Sequence, residues 1–117
     1  MNNQLNEYVV DTNFIFMGIY NKYSKAGRIL DANIERKISL CAPISVRKEL
    51  INVLNREFFW SDDKINYTLE SLSIKWIEKE IYEEAIKKTK VKHKADKPIE
   101  ALAHILNCGI LTADKHF

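Results

Sequence analysis

The sequence predicts an α/β protein of three layers, in which helices cover both faces of a short parallel β-sheet. Short apolar runs alternate along the chain with segments of helical periodicity. Strands separated in this way by helices pair in parallel through right-handed crossovers. The chain of 117 residues is long enough for one hydrophobic core and too short for two. We therefore expect a single domain over residues 1–117.

Four apolar runs have the length and composition of strands that a parallel sheet buries on both faces. The predicted strands are residues 8–10, 38–42, 74–77 and 110–113. Pro43 closes the second run. The resulting order of elements is β-α-β-α-α-β-α-α-β.

Helical periodicity and capping residues define the predicted helices. They are residues 14–20 continuing, with a break near Gly27, into residues 28–36, then residues 46–58, residues 62–72, residues 80–90, and the segment between Asp96 and Gly109. Ser45 is the expected N-cap of the second helix, and Asp62 or Asp63 that of the third. Asp96 is the expected N-cap of the last helix, and Gly109 its C-terminal stop.

Composition limits the class of protein. Hydrophobic residues make up 46% of the chain and charged residues 29%, which is ordinary for a globular domain. The sequence has no apolar run of membrane-spanning length and no basic-then-apolar signal peptide, so we expect a cytoplasmic protein without a membrane partner. Cys41 and Cys108 lie in or beside apolar segments and are expected to be buried free thiols in a reducing compartment.

Acidic residues are predicted to meet at the carboxyl ends of the strands. Asp11 follows the first strand, Asp114 follows the last, and Asp96 opens the helix that leads into the last strand. If the first and last strands are neighbours, these side chains share the crevice where open α/β sheets bind ligands, and Glu49 can reach it. A simpler interpretation remains open, in which Asp11 only caps a helix and Glu49 is a surface residue.

Converging carboxylates need a compensating charge. Two like charges about 4 Å apart repel by roughly 4 kcal/mol at an effective dielectric constant of about 20. Oxygen ligands without Cys or His favour Mg²⁺ or Mn²⁺. Such ions support the hydrolysis of a phosphodiester, because they lower the pKa of an attacking water and stabilise the leaving oxygen.

A basic segment precedes the last predicted helix. The net charge of +2 is too small to indicate nucleic acid by itself, but seven basic residues lie within positions 87–97. In one interpretation this run is a solvated face or a mobile loop. Beside an acidic metal site, it is expected to bind RNA phosphates. The candidate RNA-binding residues are Lys90, Lys92, Lys94 and Lys97.

Four segments resemble the motif regions of PIN-domain proteins. They are residues 9–13 (Val-Val-Asp-Thr-Asn), Glu49 in an amphipathic helix, residues 96–103 (Asp-Lys-Pro-Ile-Glu-Ala-Leu-Ala) and residues 111–117 (Leu-Thr-Ala-Asp-Lys-His-Phe). The resemblance extends from Tyr8 to Phe117. Its closing pair of motifs is the most specific part, because an Asp-led helix followed by a strand ending in Thr-Ala-Asp is a demanding combination.

The resemblance implies a metal-dependent endoribonuclease with a Rossmann-like parallel sheet. Many bacterial members are VapC-like toxins, each neutralised by a small antitoxin and often a homodimer. It further implies catalytic metal ligands and supporting polar residues at these positions: Asp11, Glu49, Asp96 and Asp114 as ligands, and Asn13 and Thr112 in support. Family members continue past the last acidic residue into a further strand and helix, so we expect this sheet to lack its final edge strand.

Three alternatives compete with the nuclease interpretation. The most serious is a PIN-like module that binds RNA or a protein without cleaving it, and whose melting would not respond to metal. A receiver domain requires paired acidic residues after the first strand, where this chain has the single Asp11. A phosphatase of the haloacid dehalogenase type requires Asp-x-Asp there, and position 13 is Asn.

Overall fold

The structure is a computed structural model and describes residues 5–89 and 97–113. This part of the chain folds into four strands and six helices. The elements are β1 (Glu7–Val10), α1 (Thr12–Tyr20), α2 (Lys25–Ile34), β2 (Ser39–Pro43), α3 (Ile44–Phe58), α4 (Asp62–Ser71), β3 (Lys75–Ile77), α5 (Lys79–Ile86), α6 (Lys97–Leu106) and β4 (Gly109–Leu111). Among these described helices, none is both long enough and apolar enough to cross a bilayer.

The strands form one parallel sheet in the order β3-β2-β1-β4. Strand β1 therefore pairs with β2 on one side and with β4 on the other. Successive crossovers move outward from β1 to β3, and the last one returns past β1 to β4. The direction of winding thus reverses beside β1, and such a reversal is where open α/β sheets bind ligands. The first and last strands are neighbours, which is the condition on which the predicted crevice depends.

Helices lie on both faces of the sheet, as the predicted three-layer α/β/α class requires. On one side α5 packs against α6, which contacts β1, β2 and β4. In the other group α1 contacts α2 and α3, and α3 contacts α4, β2 and β3. The central strands are buried from both sides: Val9, Val10, Leu40 and Cys41 have no solvent exposure.

The break predicted near Gly27 lies earlier, in a tight turn at residues 21–24 that separates α1 from α2, and Gly27 is inside α2. The Ser24 hydroxyl accepts a hydrogen bond from the backbone N–H of Gly27 at 3.0 Å and caps α2. A Cβ atom at Gly27 would lie 2.4 Å from the carbonyl oxygen of Lys22. Glycine at this position therefore allows the turn to pack directly against the start of α2.

Several predicted caps are wrong, although the helices that they belong to exist. Helix α3 begins at Ile44 with Pro43 as its N-cap, so Ser45 lies inside the helix. The hydroxyl of Ser61 caps α4 instead of the neighbouring carboxylates, accepting a hydrogen bond from the N–H of Lys64 at 3.3 Å. Helix α6 ends before Asn107, whose φ of 51° is left-handed, and Gly109 is the first residue of β4. Asparagine tolerates this conformation nearly as well as glycine.

Replacing Asn33 with alanine is expected to lower the free energy of unfolding by about 2–4 kcal/mol. The side chain is buried; its Nδ2 donates to the carbonyl of Leu72 at 2.9 Å, and its Oδ1 accepts from the N–H of Leu40 at 2.8 Å. The substitution leaves both backbone groups buried without these partners. Urea unfolding of Asn33→Ala measures the loss.

Asn55→Ala is the matched control for that substitution. Asn55 also bonds the backbone, donating to the carbonyl of Trp60 at 3.1 Å, but its bond is exposed and water can replace it. We expect a loss below about 1 kcal/mol. Equal losses in the two variants would contradict the role given to Asn33.

Candidate functional site

Asp11 occupies the carboxyl end of β1, at the reversal of the sheet. It is the first residue after Val10 and is only 4% exposed. It is also the N-cap of α1, because its Oδ1 accepts a hydrogen bond from the backbone N–H of Phe14 at 2.8 Å. The positive end of the α1 dipole stabilises a carboxylate there. The sheet and the helix together hold the carboxylate in one orientation.

Thr112 meets Asp11 across the reversal. Val10 is paired with Leu111 in the register of β1 and β4, so the residues that follow them lie side by side. The Thr112 hydroxyl donates a hydrogen bond to Oδ2 of Asp11. Each carboxylate oxygen thus accepts a hydrogen bond from a different element. Residues that are 101 positions apart in the chain are in direct contact at this edge.

Glu49 and Asn13 lie near this edge but are exposed. Helix α3 starts where β2 ends, and Glu49 is about 8 Å along it at 1.5 Å per residue. Within residues 5–89 and 97–113 its carboxylate makes no hydrogen bond or ion pair. Asn13 lies in the first turn of α1 with its side chain in solvent. Neither residue contacts Asp11 through a hydrogen bond.

The remaining predicted site residues lie outside the described residues: Asp96, Asp114, Lys90, Lys92 and Lys94. Asp96 immediately precedes α6 in the sequence, and Asp114 is the second residue after Thr112. In the described part of the chain, no three His, Cys, Asp or Glu side chains are grouped closely enough to hold a metal ion.

A comparison with known protein families identifies the family of this chain. The profile of the PIN domain matches residues 8–117, which is nearly the whole chain. The chain belongs to the PIN domain family. PIN domains are in general nucleases, hydrolases that use divalent metal ions and act on nucleic acid. No individual curated protein is similar enough to the chain to add a named relative.

Among the described residues of this PIN domain, Asp11 offers the kind of donor that a divalent cation binds. Carboxylate oxygens are the hard ligands that Mg²⁺ and Mn²⁺ prefer. Hydrogen bonds from Phe14 and Thr112 fix the Asp11 carboxylate in the way that neighbouring groups fix metal-binding carboxylates. Asp11 alone does not complete a metal site, so the full ligand set remains a prediction.

The sequence did not indicate a second group of basic residues at the same edge of the sheet. Lys48 of α3, Lys79 of α5 and Lys97 of α6 line a cavity of about 580 Å³ with Ser45 and Tyr82. Burial raises the pKa of the Tyr82 hydroxyl, while the neighbouring Ser45 lowers it to a smaller extent. These lysines come from three separate segments, so no local pattern in the sequence links them.

The two cysteines are poor candidates for the chemistry of the site. Burial, and to a smaller extent the charge of Glu7, raise the pKa of the Cys41 thiol to about 12. The same two causes raise the pKa of Cys108. Since the thiolate is the nucleophile and the metal ligand, both thiols are unreactive at neutral pH. Cys41 and Cys108 are free, as expected, and Cys41 is fully buried while Cys108 is partly exposed.

Asp11→Ala is expected to lower the free energy of unfolding by about 1 kcal/mol, because it removes the cap of α1. Asp11→Asn should change it by less than half of that, since an amide oxygen still accepts from Phe14 and the amide NH₂ can pair with Thr112. Thermal unfolding in EDTA measures both variants without metal. A large loss in Asp11→Asn would contradict the cap geometry.

Alkaline pH should destabilise the fold partly through Cys41. Its pKa rises from 9.0 to about 12 on folding, so its contribution to stability is complete below pH 9 and is lost between about pH 9 and 12. One such group changes the free energy of unfolding by up to about 1.4 kcal/mol per pH unit in that window. Urea unfolding at several pH values should show a shallower decline for Cys41→Ala than for wild type. Parallel declines would contradict this linkage.

Proposed function

We propose that this PIN domain is an endoribonuclease that hydrolyses RNA phosphodiester bonds with Mg²⁺ or Mn²⁺. The observation that carries the proposal is the contact between Asp11 and Thr112, which joins the first and last motif regions at the reversal of the sheet. Family membership supports nuclease chemistry in general. The choice of RNA and of these two ions is our inference.

The proposed metal ligands are Asp11, Glu49, Asp96 and Asp114. A divalent cation bound there supplies positive charge against the phosphate and lowers the pKa of an attacking water. Thr112 positions the Asp11 carboxylate through its hydrogen bond. Asn13, exposed in the first turn of α1, is proposed to support the site by hydrogen bonding.

The basic residues near the site are proposed to bind the RNA backbone. Each lysine ammonium that neutralises a phosphate releases a counterion, so binding should weaken as salt rises. Lys97, at the start of α6, is the one candidate of the lysine-rich segment that lies in the described part of the chain. The other proposed residues of this segment are Lys90, Lys92 and Lys94.

We propose further that the protein is the toxin of a toxin–antitoxin pair, bound by a small antitoxin and able to form a homodimer. An exposed aromatic surface supports a protein partner. Tyr20, which is 71% exposed, stacks on Phe16 and Phe58 with ring centroids 6.2 and 6.1 Å away. Exposed apolar patches of this kind are typical of protein interfaces. Growth arrest on induced expression, absent with Asp11→Asn, would distinguish a toxin from an RNA-processing enzyme.

Purified wild-type protein is expected to cleave RNA with Mg²⁺ or Mn²⁺ and to lose this activity in EDTA. Asp11→Asn and Asp96→Asn should each lower the cleavage rate at least about 100-fold, because each removes one negative charge at nearly constant shape. Denaturing gel electrophoresis of a labelled RNA measures the products. Asp31→Asn, on the exposed side of α2, is the matched control and should cleave like wild type.

The outcome separates the nuclease from a binding module. Cleavage that persists in both site variants would identify a contaminant or a different site. Wild-type protein that binds RNA, shows no thermal shift with metal and cuts no substrate would replace the nuclease with the non-cleaving module.

A further inference from the structure

A cavity with both basic and apolar walls lies beside the proposed metal site. Its ammonium groups come from Lys48, Lys79 and Lys97, and its apolar wall includes Ile86 and Pro98. We propose that this cavity binds one nucleotide of the substrate strand, with the phosphate at the lysines and the base against the apolar wall. The inference rests on the proposed function, because it assumes that the substrate is RNA.

The position of the cavity follows from the register of the sheet. Pro43 of β2 is paired with Ile77 of β3, and Ser45 and Lys79 lie two residues beyond this pair. The cavity is therefore at the carboxyl ends of β2 and β3, on the edge where Asp11 follows β1. Neighbouring strands are about 4.8 Å apart, so the cavity lies one to two strand spacings from the strand of Asp11. An RNA strand bound at the proposed metal site can therefore extend into the cavity along the same edge of the sheet.

The charge of the cavity favours a phosphate. Among the described residues that line it, none is acidic. Helix α3 begins at this cavity with Pro43 as its N-cap, whose side chain makes no capping hydrogen bond, so the helix adds partial positive charge. Lys79 also pairs with Glu83 at 3.9 Å, but both side chains are more than half exposed, and such pairs are weak. A phosphate can therefore compete for Lys79.

The apolar wall favours a nucleotide over an inorganic anion. Tyr82 is 1% exposed, so its ring is packed into the protein and forms a fixed floor of the cavity. Ile86 and Pro98 are partly exposed and add apolar surface beside that floor. A volume of about 580 Å³ is within the range of small-molecule sites and exceeds what one phosphate fills. A base has the flat apolar faces that such a wall can cover.

Equilibrium binding of a short fluorescent RNA in EDTA tests the cavity apart from cleavage. Lys48→Ala combined with Lys79→Ala should weaken binding by about five- to tenfold. It should also reduce the slope of log K against log salt by about 0.7, which is the contribution of one neutralised phosphate on a single strand. Unchanged affinity and slope would overturn the proposal.

Lys37→Ala is the matched control. Lys37 is 69% exposed and pairs with Glu35 at 3.8 Å, much as Lys79 is 63% exposed and pairs with Glu83. It precedes β2 and therefore lies at the opposite edge of the sheet. The loss of one positive charge there should change RNA affinity by less than about twofold. If Lys37→Ala weakened RNA binding as much as the double lysine variant does, net charge alone would explain the effect, and the proposed role of the cavity would be overturned.

A second measurement tests the apolar wall. In isothermal titration calorimetry, adenosine monophosphate should bind more tightly than ribose 5-phosphate, should compete with the RNA, and should lose affinity in the double lysine variant. Equal binding of the two ligands would overturn the role of the base. Binding of the mononucleotide without competition would assign the cavity to a free nucleotide and overturn its place on the substrate strand.

These outcomes are separable from failure of the proposed nuclease. If the protein cleaves RNA but binds it equally well with and without the two lysines, the proposed nuclease function stands and the proposed nucleotide site is rejected. A protein that binds RNA through the cavity but never cleaves it loses the nuclease alone.

Discussion

The burial of β1 between β2 and β4 is the constraint on which the rest of this structure depends. Val9 and Val10 have no solvent exposure, and each pairs with a residue of β4. An extended segment buried in this way must have its backbone hydrogen bonded on both sides, which a central position in a sheet provides. Because β4 completes that pairing, the carboxyl ends of the first and last strands lie side by side, and Asp11 and Thr112 come into contact.

Asp11 serves the fold and the proposed chemistry at once. A carboxylate that is 4% exposed is costly to bury unless its oxygens accept hydrogen bonds, and those from Phe14 and Thr112 reduce this cost. The same bonds hold it at the reversal of the sheet, which is where open α/β sheets bind ligands. The interpretation of Asp11 as a helix cap and its interpretation as a site residue are therefore compatible, since one geometry supports both.

Local sequence predicted the existence of the elements better than their ends. Burial selects residue type directly, so the sequence predicted the apolar runs of the four strands. It also predicted the apolar face of α3, on which Val46, Leu50 and Leu54 are buried. The capping residues could not be predicted in this way, because neighbouring residues of similar capping propensity compete for the same position. Ser61 caps α4 although Asp62 and Asp63 follow it, and Asn107 ends α6 although Gly109 is close by. The packing of each helix selects among such candidates, and a local sequence pattern carries no information about that packing.

The sequence by itself determined the α/β class, the parallel sheet, the family and the acidic residues worth testing, because these depend on periodicity and on short motifs. Only the tertiary structure decided which distant side chains touch. The contact of Thr112 with Asp11 depends on the pairing of β4 with β1, and the grouping of Lys48, Lys79 and Lys97 depends on the packing of three helices. Both arrangements join residues far apart in the chain, and the physical reason is the same: strand pairing and helix packing determine distances that sequence spacing leaves undefined.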